Sequence, residues 1–393
     1  MRLRFGAFLA PHHPPGEHPT LQMRRDLDFA VHLDHLGYDE FWVGEHHSGG
    51  WETICSPELF LAAAGERTER IMLGTGVVSL PYHQPFHVAQ RIVLLDHLTR
   101  GRAILGTGPG ALPSDALALG VDPALIRERQ DEALSVILPL LRGERVSYHC
   151  DWFQLNDAAL HLLPVQEKLP VTVASSISPS GMSLAGKYGL GVLSIASNSV
   201  EGLQALPTQW GFAETYAKEH HQTVDRREWR VLMSFHLAES REQAVAEAAE
   251  GLKHWHNEYN VGVLGRPGAN PIDDGRHLAE AMNRSGAGVI GTPDDAVAAI
   301  TRLQETSGGF GVVLGFAHDW ANPEHTLKSW DLFARYVVPA VNGYTAPIET
   351  SRDYVAERKG ELMEGAANAV LAAIRKHNAK YPRQDRPEPQ PAS

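Results

Sequence analysis

The densest chemistry in the chain sits at 45–47. In "FWVGEHHSGG" (41–50) an apolar run ends in Glu45, His46 and His47, followed by a glycine pair. A carboxylate and two imidazoles can ligate a metal, move protons or hydrogen-bond one another. Phe41–Val43 reads as a strand, and neighbouring side chains of an extended segment point to opposite faces. Glu45 and His47 therefore share one face and His46 takes the other. That is a poor tripod for a metal, and no HxH or HExxH spacing supports zinc, so no metal centre is expected. One of the two His is expected to line a pocket as donor or acid–base group; a structural His pair is the alternative.

Other candidates recur in short Gly-, Ser-, His- and Pro-rich stretches: "APHH" (10–13), "TGVVSLPYH" (75–83), "GTGPGALPSD" (106–115), "ASSISPSGMSLAG" (174–186) and "GFAHDW" (315–320). None contains Lys, which disfavours Schiff-base chemistry. "GTGPGA" matches a loose dinucleotide fingerprint, but no helix follows at once. Its glycines read better as letting backbone approach a flat ligand. Ser178 and Ser180 lie just ahead of a helical pattern, beside Pro179 and Gly181. They suit either an N-cap or a phosphate site built on free N–H groups.

What positions these stretches is an alternation of strands and helices. Strands are read at 3–9, 39–44, 71–80, 101–108, 171–176, 191–197, 229–238 and 310–316. Helices are read at 21–37, 56–67, 85–99 and 122–143, two of them opening on a Ser or Asp cap followed by Pro. Eight buried strands alternating with helices predict an α/β fold, a (β/α)8 TIM barrel with insertions at the C-terminal mouth, where function collects. An open doubly wound sheet is the rival. The barrel spans 1–345, with insertions at about 144–170, a small β excursion, and 257–290, a Gly/Asn-rich lid. A helical extension follows at 346–379, and a polar Pro-rich tail at 380–393.

Bulk properties agree. The chain has 393 residues, 43% of them hydrophobic, enough for one large core. Net charge is −12, which argues against nucleic-acid or anionic-membrane partners. Two distant cysteines make no disulfide scaffold. No membrane-length apolar stretch and no signal-peptide pattern is read, so a cytoplasmic protein is expected.

Taken together, "LGYDEFWVGEHH", "ERTERIMLGTGVVSLPYHQPFHVAQRIVLLDHLTRGRAILGTGPG", "ASSISPSGMSLAGKYGLG" and "GFAHDWANPEHTLKSWDLFARYVVPAV" resemble the bacterial luciferase-like FMN-dependent monooxygenases, in particular limonene monooxygenase-like members. The resemblance runs from about residue 3 to 345. It implies a two-component flavoprotein. Reduced FMN arrives from a separate flavin reductase and reacts with O2 to a C4a-(hydro)peroxyflavin, which oxygenates an apolar cyclic or aromatic substrate. Epoxidation, hydroxylation and Baeyer–Villiger oxidation all stay open. A homodimer is implied as well.

Residue by residue, the resemblance puts His46 at the reactive flavin edge and a non-proline cis peptide at Gly76–Val77. Gly108 lies beside the flavin, and Ser176, Ser178, Ser180 and Gly181 receive the phosphate. Phe8, Trp51, Tyr82 and Trp320 supply apolar walls for the substrate. One departure stands out: Pro109 replaces the luciferase Arg near the phosphate, so another group must meet that charge. Two alternatives remain: an F420-dependent oxidoreductase on the same barrel, and a non-catalytic flavin-binding protein.

Overall fold

The computed structural model describes residues 2–10, 12–266 and 268–381. Eight parallel strands close into a barrel: β1 (Arg4–Leu9), β2 (Glu40–Val43), β3 (Met72–Thr75), β4 (Ala103–Gly108), β5 (Val171–Ser175), β6 (Gly191–Ser194), β7 (Trp229–Leu237) and β8 (Val312–Ala317). The register runs once round without a gap. Phe8 pairs with Trp42, Trp42 with Gly74 and Gly74 with Ile104. Arg230 then pairs with both Leu193 and Val312, and Val312 with Arg4. The barrel is therefore closed, and the open doubly wound sheet is excluded.

Alternation decides what each strand residue does. Phe5, Ala7, Leu9, Phe41, Val43, Leu73, Leu105 and Val173 face the helices and form the main core. Phe8, Trp42, Ile104, Leu193, Leu232, Val312, Leu314 and Phe316 fill the barrel. Trp42 takes so much of the interior that the positions beside it on β3 and β4 must be bare. A Cβ on Gly74 would lie 2.6 Å from Trp42 Cε3, and one on Gly106 2.7 Å from its Cζ3. Below the indole, Arg230 pairs with Glu40 through Nε–Oε2 at 2.7 Å and Nη2–Oε1 at 3.0 Å, both groups buried. Trp42 Nε1 donates to the same carboxylate at 2.8 Å. This buried ion pair closes the barrel interior below Trp42, and a cavity opens above it at the C-terminal mouth.

Several local expectations need correction. The third strand does not run 71–80 unbroken. It stops at Thr75, passes through a cis Gly76–Val77 peptide and resumes for Val78–Ser79. Asp122 does not cap the fourth helix. Its carboxylate accepts from Ala124 N at 2.8 Å in a local turn, and the helix runs Ile126–Leu141. Ser56 precedes Pro57–Gly65 but spends its hydroxyl on Glu58 Oε2 at 3.0 Å instead of capping. A six-residue helix, Pro113–Ala118, interrupts what reads as a loop after β4.

The 144–170 stretch holds an antiparallel pair, Val146–His149 with Gln154–Ala158. The 257–290 stretch is far from structureless. A π-helical segment, Trp255–Val263, leads to a loop, then to a helix, Gly275–Ser285, and a strand, Gly288–Gly291, that pairs with the end of β7. Gly and Asn hid this order, because the segment's hydrogen bonds rather than its apolar period fix it. Asn257 exchanges 2.8 Å bonds with the Ile272 backbone in both directions.

Residues from Gly343 onward form a second unit, with helices Ala346–Glu357 and Lys359–Lys380. Most of the 380–393 tail lies outside the described residues. Among the described residues no helix is long and apolar enough to cross a membrane.

Candidate active site

A cavity of about 450 Å³ opens at the barrel mouth. Its floor comes from Phe8, Leu232 and Phe316, its rim from the strand-end loops, and one side from Trp255, Tyr259 and Leu264. That size is usual for a small-molecule or cofactor site. Another cavity, of about 460 Å³, lies between helices Pro19–Leu36 and Pro323–Leu332. It contains none of the expected site residues.

At the end of β2 the alternation holds. Glu45 and His47 pair with each other, Nε2–Oε1 3.0 Å, while His46 turns the other way. His46 sits between two carboxylates: Nδ1 is 3.0 Å from Asp115 Oδ2 and Nε2 is 2.8 Å from Glu52 Oε2. Burial opposes the charged ring, but both carboxylates favour it more strongly and raise its pKa from 6.5 to about 10. Burial likewise opposes charge on Glu52 and Asp115, yet the imidazoles around them hold both carboxyls below the usual range.

The cage is assembled from distant segments. The backbone ties His13 N to Trp51 O at 2.7 Å and His46 N to Ile54 O at 3.1 Å, which sets residues 51–54 beside the first two strand ends. Glu52 then accepts from His12 Nε2 at 3.0 Å as well as from Tyr259. Asp115 lies in the first turn of the Pro113–Ala118 helix and also accepts from His47 N at 3.1 Å and from Ser48. Both His46 nitrogens are thereby engaged. His46 lines the cavity with both ring nitrogens facing carboxylates, which favour its charged form.

At the other side of the cavity, β5 leads through Ser176 to the helix Ser180–Tyr188, whose N-terminus carries no side-chain cap. Ser178 and Ser180 hydroxyls lie 2.9 Å apart. The helix comes close because residue 181 is glycine: a Cβ there would lie 2.8 Å from Ser175 Cα and strike the Ala174 carbonyl. Arg127 and Arg266 also line the cavity, and among the described residues no carboxylate pairs with either.

The family comparison agrees with this geometry. The model of the luciferase-like monooxygenases matches residues 3–308. The chain belongs to the luciferase-like monooxygenase family. It is 49% identical over 365 residues to the 4-hydroxyprotoasukamycin monooxygenase of Streptomyces nodosus subsp. asukaensis, covering 91% of this chain and 97% of that one. It is 48% identical over 346 residues, 88% of each, to the limonene 1,2-monooxygenase of Rhodococcus erythropolis. Among solved structures it matches the oxygenating constituent of a 3,6-diketocamphane monooxygenase of Pseudomonas putida, a type II Baeyer–Villiger monooxygenase in complex with FMN. There identity is 25%, the TM-score 0.73, and coverage 86% of this chain and 99% of that one.

In this luciferase-like monooxygenase His46, Phe8, Gly76, Val77, Ser176, Ser178, Ser180 and Gly181 all line the one cavity. Four expected residues do not. Gly108 stands behind it, where a Cβ would lie 2.5 Å from Val77 Cγ2. Trp51 packs on Tyr259 with ring centroids 5.4 Å apart, and Trp320 stacks on His318 at 3.3 Å, 5.7 Å from Trp255. Both indoles are buried behind the aromatic side chains that reach the cavity. Tyr82 sits edge-on to His47, ring centroids 6.0 Å apart, and closes against Gly110, whose φ of +92° favours glycine. Sequence proximity to a strand end marks these residues, but depth in the wall depends on which loop folds over which.

His47, Glu45 and His83 bring ligand atoms within 4.8 Å of one another. His83 Nδ1 lies 3.4 Å from Arg91 Nη2, and a guanidinium only donates. With Nδ1 accepting from Arg91, His83 donates from Nε2 to Glu45 Oε1 at 3.0 Å. Glu45 also accepts from Ser79 N at 3.2 Å, so the cluster clamps the ends of β2 and β3 together.

Sequence reading missed Glu52, Asp115, His12, Tyr259 and Arg127. Asp115 and His12 lie inside quoted strand-end stretches. Nothing local distinguishes the other three.

Proposed function

We propose that this monooxygenase binds FMN in the mouth cavity and, with reduced FMN delivered by a separate flavin reductase, oxygenates an apolar cyclic or aromatic substrate. One observation carries the reading: a single cavity joins an uncapped helix N-terminus to an apolar chamber walled by a caged imidazolium. The residues fit the cofactor. Ser178, Ser180, the first-turn N–H groups and the close approach at Gly181 cradle a phosphate, and Arg127 supplies the cation that Pro109 does not. Phe8, Gly76 and Val77 offer a surface for a flat ring system.

When bound, reduced FMN gives two electrons to O2, so that one oxygen atom enters the substrate and the other leaves as water. The chain does the rest. His46 keeps a proton on both Nδ1 and Nε2 and holds positive charge at the wall. To move either proton it must first release a carboxylate. Trp255, Tyr259, Leu264 and Phe316 exclude water, which strengthens every charge interaction inside. The same apolar lining supports an apolar substrate.

The test is titration of apo-protein with oxidised FMN, reduced FMN and F420 under anaerobic conditions. O2 uptake is then measured with reduced FMN and a panel of cyclic alkenes, ketones and phenols. The expected result is reduced FMN binding and an oxygenated product. F420 binding with hydride transfer and no O2 uptake would replace the reading, and binding without turnover on any substrate would reduce it to flavin binding.

A further inference from the structure

The segment that walls the cavity on one side begins in a π-helical turn, Trp255–Val263, an irregularity frequent at functional sites. Most of it is exposed or half-exposed; Tyr259 and Asn260 are its buried residues. Tyr259 packs its ring against His12 at 4.7 Å between centroids and against Trp51 at 5.4 Å. Its hydroxyl donates to Glu52 Oε1, the oxygen that also accepts from His12, while Glu52 Oε2 faces His46. An ordinary buried tyrosine satisfies its hydroxyl on any nearby acceptor. Here the acceptor is the carboxylate that fixes the imidazolium in the cavity wall.

We propose that Tyr259 is a positioning residue: its bond to Glu52 latches the 255–264 segment over the cavity and couples the closure of that segment to the seating of the His46 ring. The proposal rests on the reading of His46 as a site residue, though the latch itself needs no flavin. Glu52 shares its charge among three donors. When the segment lifts, the phenol leaves and the two imidazoles take the whole carboxylate, so His46 is held differently in the open and closed states. Linkage is reciprocal: whatever reorients His46 also shifts the segment.

Tyr259→Phe keeps the ring packing and deletes the latch. In apo-protein, amide exchange within 255–264 is expected to rise roughly tenfold or more, as befits loss of a hydrogen bond to a charged group. Exchange in β2 and β8 should stay unchanged. In 15N-histidine spectra the His46 Nε2 signals should move while those of Nδ1, held by Asp115, stay near their places. A purely structural tyrosine would not move His46. Glu52→Gln supplies the second arm, since adding Tyr259→Phe to it should have much less effect than in the native background.

Unchanged exchange in 255–264, unmoved His46 signals, or additivity of the two substitutions would each overturn the proposal. With reduced FMN, O2 and substrate, the Tyr259→Phe enzyme should also release more H2O2 per O2 consumed and show KM raised more than kcat is lowered. If FMN does not bind at all, the exchange and histidine readouts still decide the latch.

Discussion

Asp115→Asn removes one wall of the cage around His46 while keeping its size. Asn can still accept through its carbonyl, but the negative charge opposite Nδ1 is gone. In the native protein the ring is raised from 6.5 to about 10 against the pull of burial, by Asp115 and Glu52 together. That span corresponds to ~5 kcal/mol of preference for the charged ring, at about 1.36 kcal/mol per pH unit. The His46 side chain is 16% exposed, so little of this is lost to solvent screening. Because the folded protein holds this proton more tightly than the unfolded chain, the stabilisation is fully present below pH 6.5. It declines as pH rises and is lost above about pH 10. With one carboxylate left, roughly half the span should go, ~2–3 kcal/mol.

The assay is a histidine NMR titration paired with urea unfolding at pH 6, 8 and 10. Native His46 should stay protonated through pH 8 while exposed histidines titrate near their ordinary value. In Asp115→Asn it should titrate between 6.5 and 10. Urea midpoints of the two proteins should differ most at pH 6 and converge by pH 10. A native His46 that titrates near 6.5, or an Asp115→Asn ring that still holds its proton to pH 10, would refute the cage as the cause.

Arg230→Met leaves buried Glu40 with Arg4, whose Nη1 lies 3.1 Å from Oε1, as its remaining cation, so chemical denaturation should show a loss of about 1–3 kcal/mol. Gly74→Ala drives a methyl into the Trp42 indole and should destabilise by about 1–3 kcal/mol, with little effect on ligand binding at the far end of the barrel. Arg127→Ala should weaken FMN binding about tenfold in fluorescence titrations, less so at high salt, while riboflavin, which lacks the phosphate, should bind native and variant alike.

The order of the eight strands and the barrel were legible in the sequence, because apolar periodicity is a local property. So was the split of the Glu45-His46-His47 cluster, since alternation along β2 follows from backbone geometry alone. The turn at Ser178–Gly181 leading into a helix was legible for the same reason. It is a short run in which Pro179 and Gly181 mark the break between strand and helix.

Only tertiary structure decided what His46 is. Its charge depends on Glu52 and Asp115, brought from a loop after β2 and a short helix after β4, and Glu52 in turn depends on His12, just after β1, and Tyr259, in the segment after helix Arg241–His254. Burial and long-range pairing set a pKa, and neither is written in the spacing of one motif. The same holds for Trp51 and Trp320. An indole at a strand end can face the ligand or stand behind the residue that does, and here Tyr259 and Trp255, carried in by the segment after helix Arg241–His254, took the front positions.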